Sequence, residues 1–191
     1  KGASDDASGV ATILESVRAF FFNKTAHKND IIILFSDAEE LGLNGAALFV
    51  TKHKWAKEVG LVLNFEARGS GGPSYMLMET NQGNAKMVDA FSDGNVAYPA
   101  SNSLMYSIYK MLPNDIDLTV FRERRKIQGY NFAFIDDHFD YHTSQDIYEN
   151  LNPKTLAHQG TYLFPLLNYF SNADLTNLNS GEDKIYFNIP F

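Results

Sequence analysis

The sequence predicts an α/β protein with a mainly parallel sheet, and two kinds of stretch point to it. Short unbroken apolar runs, Ile31-Ile32-Ile33-Leu34-Phe35 and Gly60-Leu61-Val62-Leu63 leading into Asn64-Phe65-Glu66, have the character of strands buried on both faces. Between them lie segments with helical spacing of apolar residues, such as Val10, Ile13, Leu14, Val17, Phe20 and Phe21. Both apolar runs are followed by acids, Glu39-Glu40 and Glu66, and open α/β sheets collect their ligands at the C-terminal ends of strands.

Taken in order, the first element is a helix over 7 to 22. Asp6 and Asp5 stand at its N-cap and the position before, where one carboxylate is explained by capping and the helix dipole. The small residues Ala7-Ser8-Gly9 beside them let a ligand or another backbone come close. Ile31 to Phe35 is expected to be a central parallel strand, Glu39-Glu40 its terminal turn, and Ala46 to about His53 a helix. Neighbouring carboxylates repel, so a buried Glu-Glu pair requires a cation or a shared proton.

A second strand ends at Glu66, and Ala67-Arg68-Gly69-Ser70-Gly71-Gly72-Pro73 reads as the loop at its edge. That loop lacks the Lys-Ser/Thr of a phosphate loop. A strand over 74 to 79 and helices over 83 to 92 and 102 to 112 follow. Met76, Met78, Met105, Tyr106 and Phe139 are open between core and pocket wall. Pro113 to Asp117 is a turn, and Arg122-Glu123-Arg124-Arg125-Lys126 is expected to be a solvated helix face or loop. The last strand covers 131 to 135, and a final helix runs from Pro153, a favoured first-turn residue, to about Ser171. His53 is expected at the surface and His158 in a structural role.

Composition limits the function. The 191 residues, 45% hydrophobic, are enough for one domain with a sizeable core. A net charge of -7 and the short, interrupted basic cluster argue against a nucleic-acid surface. The absence of cysteine removes disulfides, thiolate ligands and Cys nucleophiles, so a metal would be held by His and carboxylate. No stretch reaches the roughly 20 apolar residues of a membrane span. The chain opens at Lys1 without Met or signal peptide, and its true N-terminus is expected upstream.

Asp5, Glu39, Glu40, Glu66 and His142 all fall at strand ends or helix starts, which a parallel sheet gathers on one side. Carboxylates with one imidazole suit zinc or another first-row divalent ion, and a spare carboxylate suits hydrolysis.

The stretches Gly2-Ala3-Ser4-Asp5-Asp6-Ala7-Ser8-Gly9-Val10, Asp37-Ala38-Glu39-Glu40-Leu41-Gly42, Asn64-Phe65-Glu66-Ala67-Arg68-Gly69, and Tyr141-His142-Thr143 with Asp146 resemble successive signatures of the zinc aminopeptidase and glutamate carboxypeptidase family. Any one is weak; four in order are strong. The resemblance implies a three-layer α/β/α sandwich, phosphorylase/hydrolase-like, with a mixed, mainly parallel sheet. It implies a dizinc exopeptidase acting on peptides, most simply an aminopeptidase. Asp5 then resembles the carboxylate bridging two zinc ions, joined to Asp6 by a cis peptide bond. Glu39 matches the general base, Glu40 and His142 ligands of one metal, and Glu66 the carboxylate ligand of the other. Tyr141 resembles a tyrosine that stabilises the oxyanion.

The family's leading His-x-Asp segment has no counterpart in the chain, which is therefore expected to lack the first strands, to keep one zinc of the two, and to be impaired alone. Residues 1–171 are expected to be the catalytic domain and 172–191 a tail. The Asn64 to Gly69 stretch, the Pro113 to Asp117 turn and the Tyr186-Phe187 tail further resemble the subgroup whose peptidase domain precedes membrane spans. That implies a membrane-anchored or extracytoplasmic protein, with Ile189-Pro190-Phe191 leading to the membrane region. A single-zinc glutaminyl cyclase-like acyltransferase and a non-catalytic interaction module of the same fold remain alternatives.

Overall fold

The computed structural model describes residues 2–24, 26–112 and 115–189; Pro113, Asn114, Pro190 and Phe191, named above in a turn and a tail, lie outside the described residues. Six α-helices and three strands are described: α1 (Ala7–Phe22), α2 (Asn44–Lys52), β1 (Val62–Ala67), β2 (Tyr75–Glu79), α3 (Ala85–Asp93), α4 (Ser103–Met111), α5 (Asp117–Arg125), β3 (Gly129–Phe134) and α6 (Pro153–Phe170). Local chemistry accounts for the helix starts. The Asp6 carboxylate accepts the Gly9 N–H at the start of α1, Asn102 caps α4, and Asn152 caps α6 just ahead of Pro153.

The sheet is mixed, in the order β1-β3-β2, with β1 parallel and β2 antiparallel to β3. β3 is buried throughout, as a central strand must be when helices cover both faces. On one face Phe65, Met76, Met78, Tyr130 and Phe132 meet α1, α3 and α6 in the main core. On the other, Val62 meets Val50, Val120 and Phe121 of α2 and α5. Gln159, fully buried on α6, ties the layers together: its amide donates to the Glu66 and Phe132 carbonyls at 3.2 and 3.5 Å and accepts from Thr12 at 3.5 Å.

Three expectations are corrected. Ile31 to Phe35 is not a strand: no ladder passes through it, and Ile33 and Phe35 are 42% and 51% exposed. Ile31 and Leu34 pack against the two cores, so the apolar run reports partial burial. A strand also needs a partner for its backbone groups, and β3 takes only one side of β1.

Secondly, the buried face of α1 is Ser8, Gly9, Thr12, Ser16 and Phe20, while Leu14 and Phe21 are exposed. α1 lies against α6, and small side chains on that face suit the close approach.

Thirdly, the basic cluster is exposed from Glu123 to Lys126, as expected, but two of its arginines are engaged by the fold. Arg122 Nε donates at 2.7 Å to Glu79, which is 6% exposed, and the Arg125 guanidinium caps the Val50 carbonyl at 2.8 Å. α5 itself is held by the buried Leu118, Thr119, Val120 and Phe121.

His53 is exposed and stacks on Phe49, while His158 accepts the Ser74 N–H through Nδ1 at 3.0 Å and donates through Nε2 to the Tyr98 carbonyl at 2.8 Å. The residues after α6 lie along the domain: Leu178 is buried, and Ser103 N–H donates to the Tyr186 carbonyl at 2.9 Å.

Candidate metal centre

β1 and β3 run parallel, so their C-terminal ends open on the same edge, where Glu66, Arg68, Ala133 and Ile135 line a cleft of about 550 Å³. Asp5, Glu39, Glu40, Tyr141 and His142 complete its polar end. Leu77, Met105, Ile108, Tyr109, Leu112 and Ile116 form apolar walls, largely from α4. Of the residues left open between core and pocket, Met105 lines the cleft. Met76, Met78 and Tyr106 are core, and Phe139 is exposed.

Three chain-distant loops deliver the ligand atoms. The turn before α1 carries Asp5, and the Asp5–Asp6 bond is cis. A tight turn carries Glu39 and Glu40: the Glu39 carbonyl accepts from Gly42 and Leu43 at 3.0 and 2.7 Å, and Ser36 Oγ donates to Asp117 at the start of α5. The loop after β3 carries His142 at a left-handed φ of 55°. Asp5, Glu40 and His142 each offer a ligand atom within 4.8 Å of the others. His142 Nε2 contacts Glu40 Oε1 directly and lies 3.3 Å from Asp5 Oδ2.

Glu66 lines the same cleft but stands outside that close group. Asn64 Nδ2, itself bonded to Asn131 Oδ1 at 3.1 Å, donates to the Glu66 carboxylate at 3.1 Å. Tyr141 stacks on the His142 ring with centroids 3.7 Å apart.

The electrostatics show acids that hold their protons unless a cation sits among them. Burial, then the Glu40 charge, push Asp5 up to about 6. Burial, then Glu40 and Asp117, push Glu39 up to about 7. Burial dominates at Glu66, which rises to about 8, and Asp6 is raised well above the usual range by burial and by Glu66. Carboxylates so crowded remain ionised only beside positive charge, and an oxygen and imidazole donor set without thiolate fits zinc.

Two residues given no role by the sequence emerge. Buried Asp146 accepts the backbone N–H groups of Ser4 and Asp5 at 2.7 and 3.1 Å, locking the Asp5 turn to the His142 loop. Its place four residues after His142 inside the signature was the available signal. Asp117 adds negative charge near Glu39 and Glu66 while holding Ser36.

A mixed α/β sheet with an imidazole and carboxylates gathered in a cleft at its strand ends is the architecture of metal-dependent hydrolases. The chain belongs to Peptidase family M28, which its residues 1–167 match. It is similar to the "Vacuolar membrane protease" of Candida tropicalis, 31% identical over 98% of this chain and 20% of that protein. The human "Endoplasmic reticulum metallopeptidase 1" is 28% identical over 91% of this chain and 19% of its own length. The chain thus spans about a fifth of the curated relatives it matches. Among solved structures, an aminopeptidase from Aneurinibacillus sp. strain AM-1 superposes with a TM-score of 0.66 at 19% identity, over 87% of this chain and 39% of that one. The LapA aminopeptidase of Legionella pneumophila gives 0.64 at 20% identity, over 91% and 48%. These likenesses establish the fold. No described helix is long and apolar enough to cross a membrane.

Proposed function

We propose that residues 1–171 carry the catalytic site of a zinc-dependent exopeptidase that removes N-terminal residues from peptides, with 172–191 a tail whose described residues lie along it. The observation that carries this is the meeting of Asp5, Glu40 and His142 within 4.8 Å, with Glu39 in the same cleft. Asp5, Glu40 and His142 would hold one zinc, and Asp5 with Glu66 would contribute to a second in the complete domain. Zinc held there would supply Lewis acidity toward the scissile carbonyl and would activate water near neutral pH.

The residues supply the proton path and the geometry. Glu39, held above the usual carboxylate range in the metal-free chain by burial and the Glu40 charge, takes a proton from the attacking water and returns it to the amine nitrogen as the C–N bond breaks. Tyr141, pushed up to about 12 chiefly by burial, stays neutral and donates a hydrogen bond to the developing oxyanion. The apolar walls exclude water around the substrate. A membrane-anchored or extracytoplasmic setting is supported by the names of the vacuolar and endoplasmic reticulum relatives.

The test is zinc stoichiometry of this chain with hydrolysis by the complete protein of peptides bearing free or acetylated N-termini. About one zinc per chain and cleavage of only the free peptides are expected. No bound zinc, or equal cleavage of acetylated peptides, would overturn the proposal.

A further inference from the structure

The cleft holds one feature that the proposed reaction does not use. Arg68 lines it, partly buried, among the carboxylates of Asp5, Glu39, Glu40, Glu66 and Asp115. Among the described residues none of these acids forms an ion pair with it; Asp5 and Glu40 pair instead with His142, and the remaining ion pairs, at Arg18, Arg122 and Lys184, lie outside the cleft. Its side-chain contact is with the Tyr141 ring, whose centroid is 6.0 Å from the guanidinium carbon.

The backbone that carries Arg68 is fixed from both sides. Its N–H extends the β1–β3 ladder to the Phe134 carbonyl at 2.9 Å. The following Ser70 and Gly71 N–H groups bond the Asp136 carbonyl at 3.1 and 3.0 Å, and Ser70 Oγ donates to Asp140 at 2.5 Å. A guanidinium held on a rigid strand end, with its donors unspent on neighbouring acids, presents a planar fork of the kind that matches a carboxylate bidentately.

We propose that Arg68 receives the free α-carboxylate of the leaving residue, which makes dipeptides with a free C-terminus the preferred substrates of this site. The inference rests on the peptidase proposed above. Tyr141 touches both residues: its ring is stacked on His142 and lies 6.0 Å from the Arg68 guanidinium carbon. In a dipeptide the terminal carboxylate lies about 4 Å beyond the scissile carbonyl carbon. A substrate whose scissile carbonyl is set beside Tyr141 would then hold its carboxylate on the side of the cleft that Arg68 lines. The cleft volume of about 550 Å³ suits a ligand of that size. With zinc neutralising the acids around it, Arg68 is the organic cation left to face an incoming anion.

The experiment compares Leu-Leu with Leu-Leu-amide, using the complete zinc-loaded protein and its Arg68→Gln and Arg68→Lys variants, with zinc content and thermal midpoint measured on each. The parent is expected to favour the acid by roughly tenfold or more in kcat/KM, expressed mainly in KM. Arg68→Gln should bring the ratio close to one, and Arg68→Lys should retain part of it. A ratio near one in the parent overturns the proposal, as does a preference that survives Arg68→Gln. A kcat loss shared equally by acid and amide also overturns it, since Arg68 would then act on the oxyanion. Failure to hydrolyse either compound overturns the peptidase proposal and this one with it.

Discussion

Asp146 accepts the Asp5 N–H at 3.1 Å and the Ser4 N–H at 2.7 Å, so the residue that orients the first metal-site carboxylate belongs to the loop that supplies the histidine. One buried carboxylate thereby sets the separation of two proposed ligands that are distant in sequence. Replacing it should loosen both. Asp146→Ala is expected to weaken zinc binding about 10- to 100-fold, read by competition with a chelating dye. An unchanged affinity would show that Asp5 is positioned by something else.

Glu39 is adjacent to Glu40 in sequence but stands outside the group of Asp5, Glu40 and His142. Glu39→Gln keeps the shape and removes the base. Turnover should fall at least about 100-fold with zinc stoichiometry unchanged. Loss of zinc in parallel with activity would instead make Glu39 a ligand.

The raised acids give a pH signature with a definite sign. Asp5 at about 6, Glu39 at about 7 and Glu66 at about 8 each bind protons more tightly in the folded chain than in the unfolded one. Stability of the metal-free protein should therefore be fullest below the unfolded values and fall as pH rises through the folded ones, from about pH 5 to about pH 8. Zinc competes with the same protons, so its affinity should rise over that window. Thermal midpoints with and without a chelator check this; a metal-free midpoint that climbs with pH would contradict it.

Away from the cleft, Glu79 accepts from Arg122 and Thr119, each at 2.7 Å, and from Tyr109 at 3.0 Å, joining β2 to α5 and α4. Arg122→Ala leaves a buried carboxylate without its cation and should destabilise the fold by about 3 kcal/mol in urea unfolding. Because Arg122 is partly exposed, Arg122→Lys should recover a fraction of that. An alanine variant of parental stability would mean that the hydroxyl donors suffice.

Much was determined by the sequence alone, because local patterns encode local physics. The cap at Asp6, the proline opening α6 and the unbroken apolar run leading to Glu66 place α1, α6 and β1. The four signatures name Asp5, Glu39, Glu40, Glu66, Tyr141 and His142 in order. What lay beyond reach depends on partners far along the chain. The Ile31 to Phe35 run is as apolar as any strand, yet a ladder requires a neighbouring backbone, and hydropathy carries no record of one. The Arg122 to Lys126 cluster resembles a solvated face until Glu79 and the Val50 carbonyl are brought beneath it. Tertiary structure also decided that Asp5, Glu40 and His142 meet while Glu66 stands apart, that Asp146 holds the Asp5 turn, and that Arg68 faces the cleft without an ion-pair partner among the described residues. Each of these is an electrostatic relationship across loops, set by how the sheet orders its strand ends.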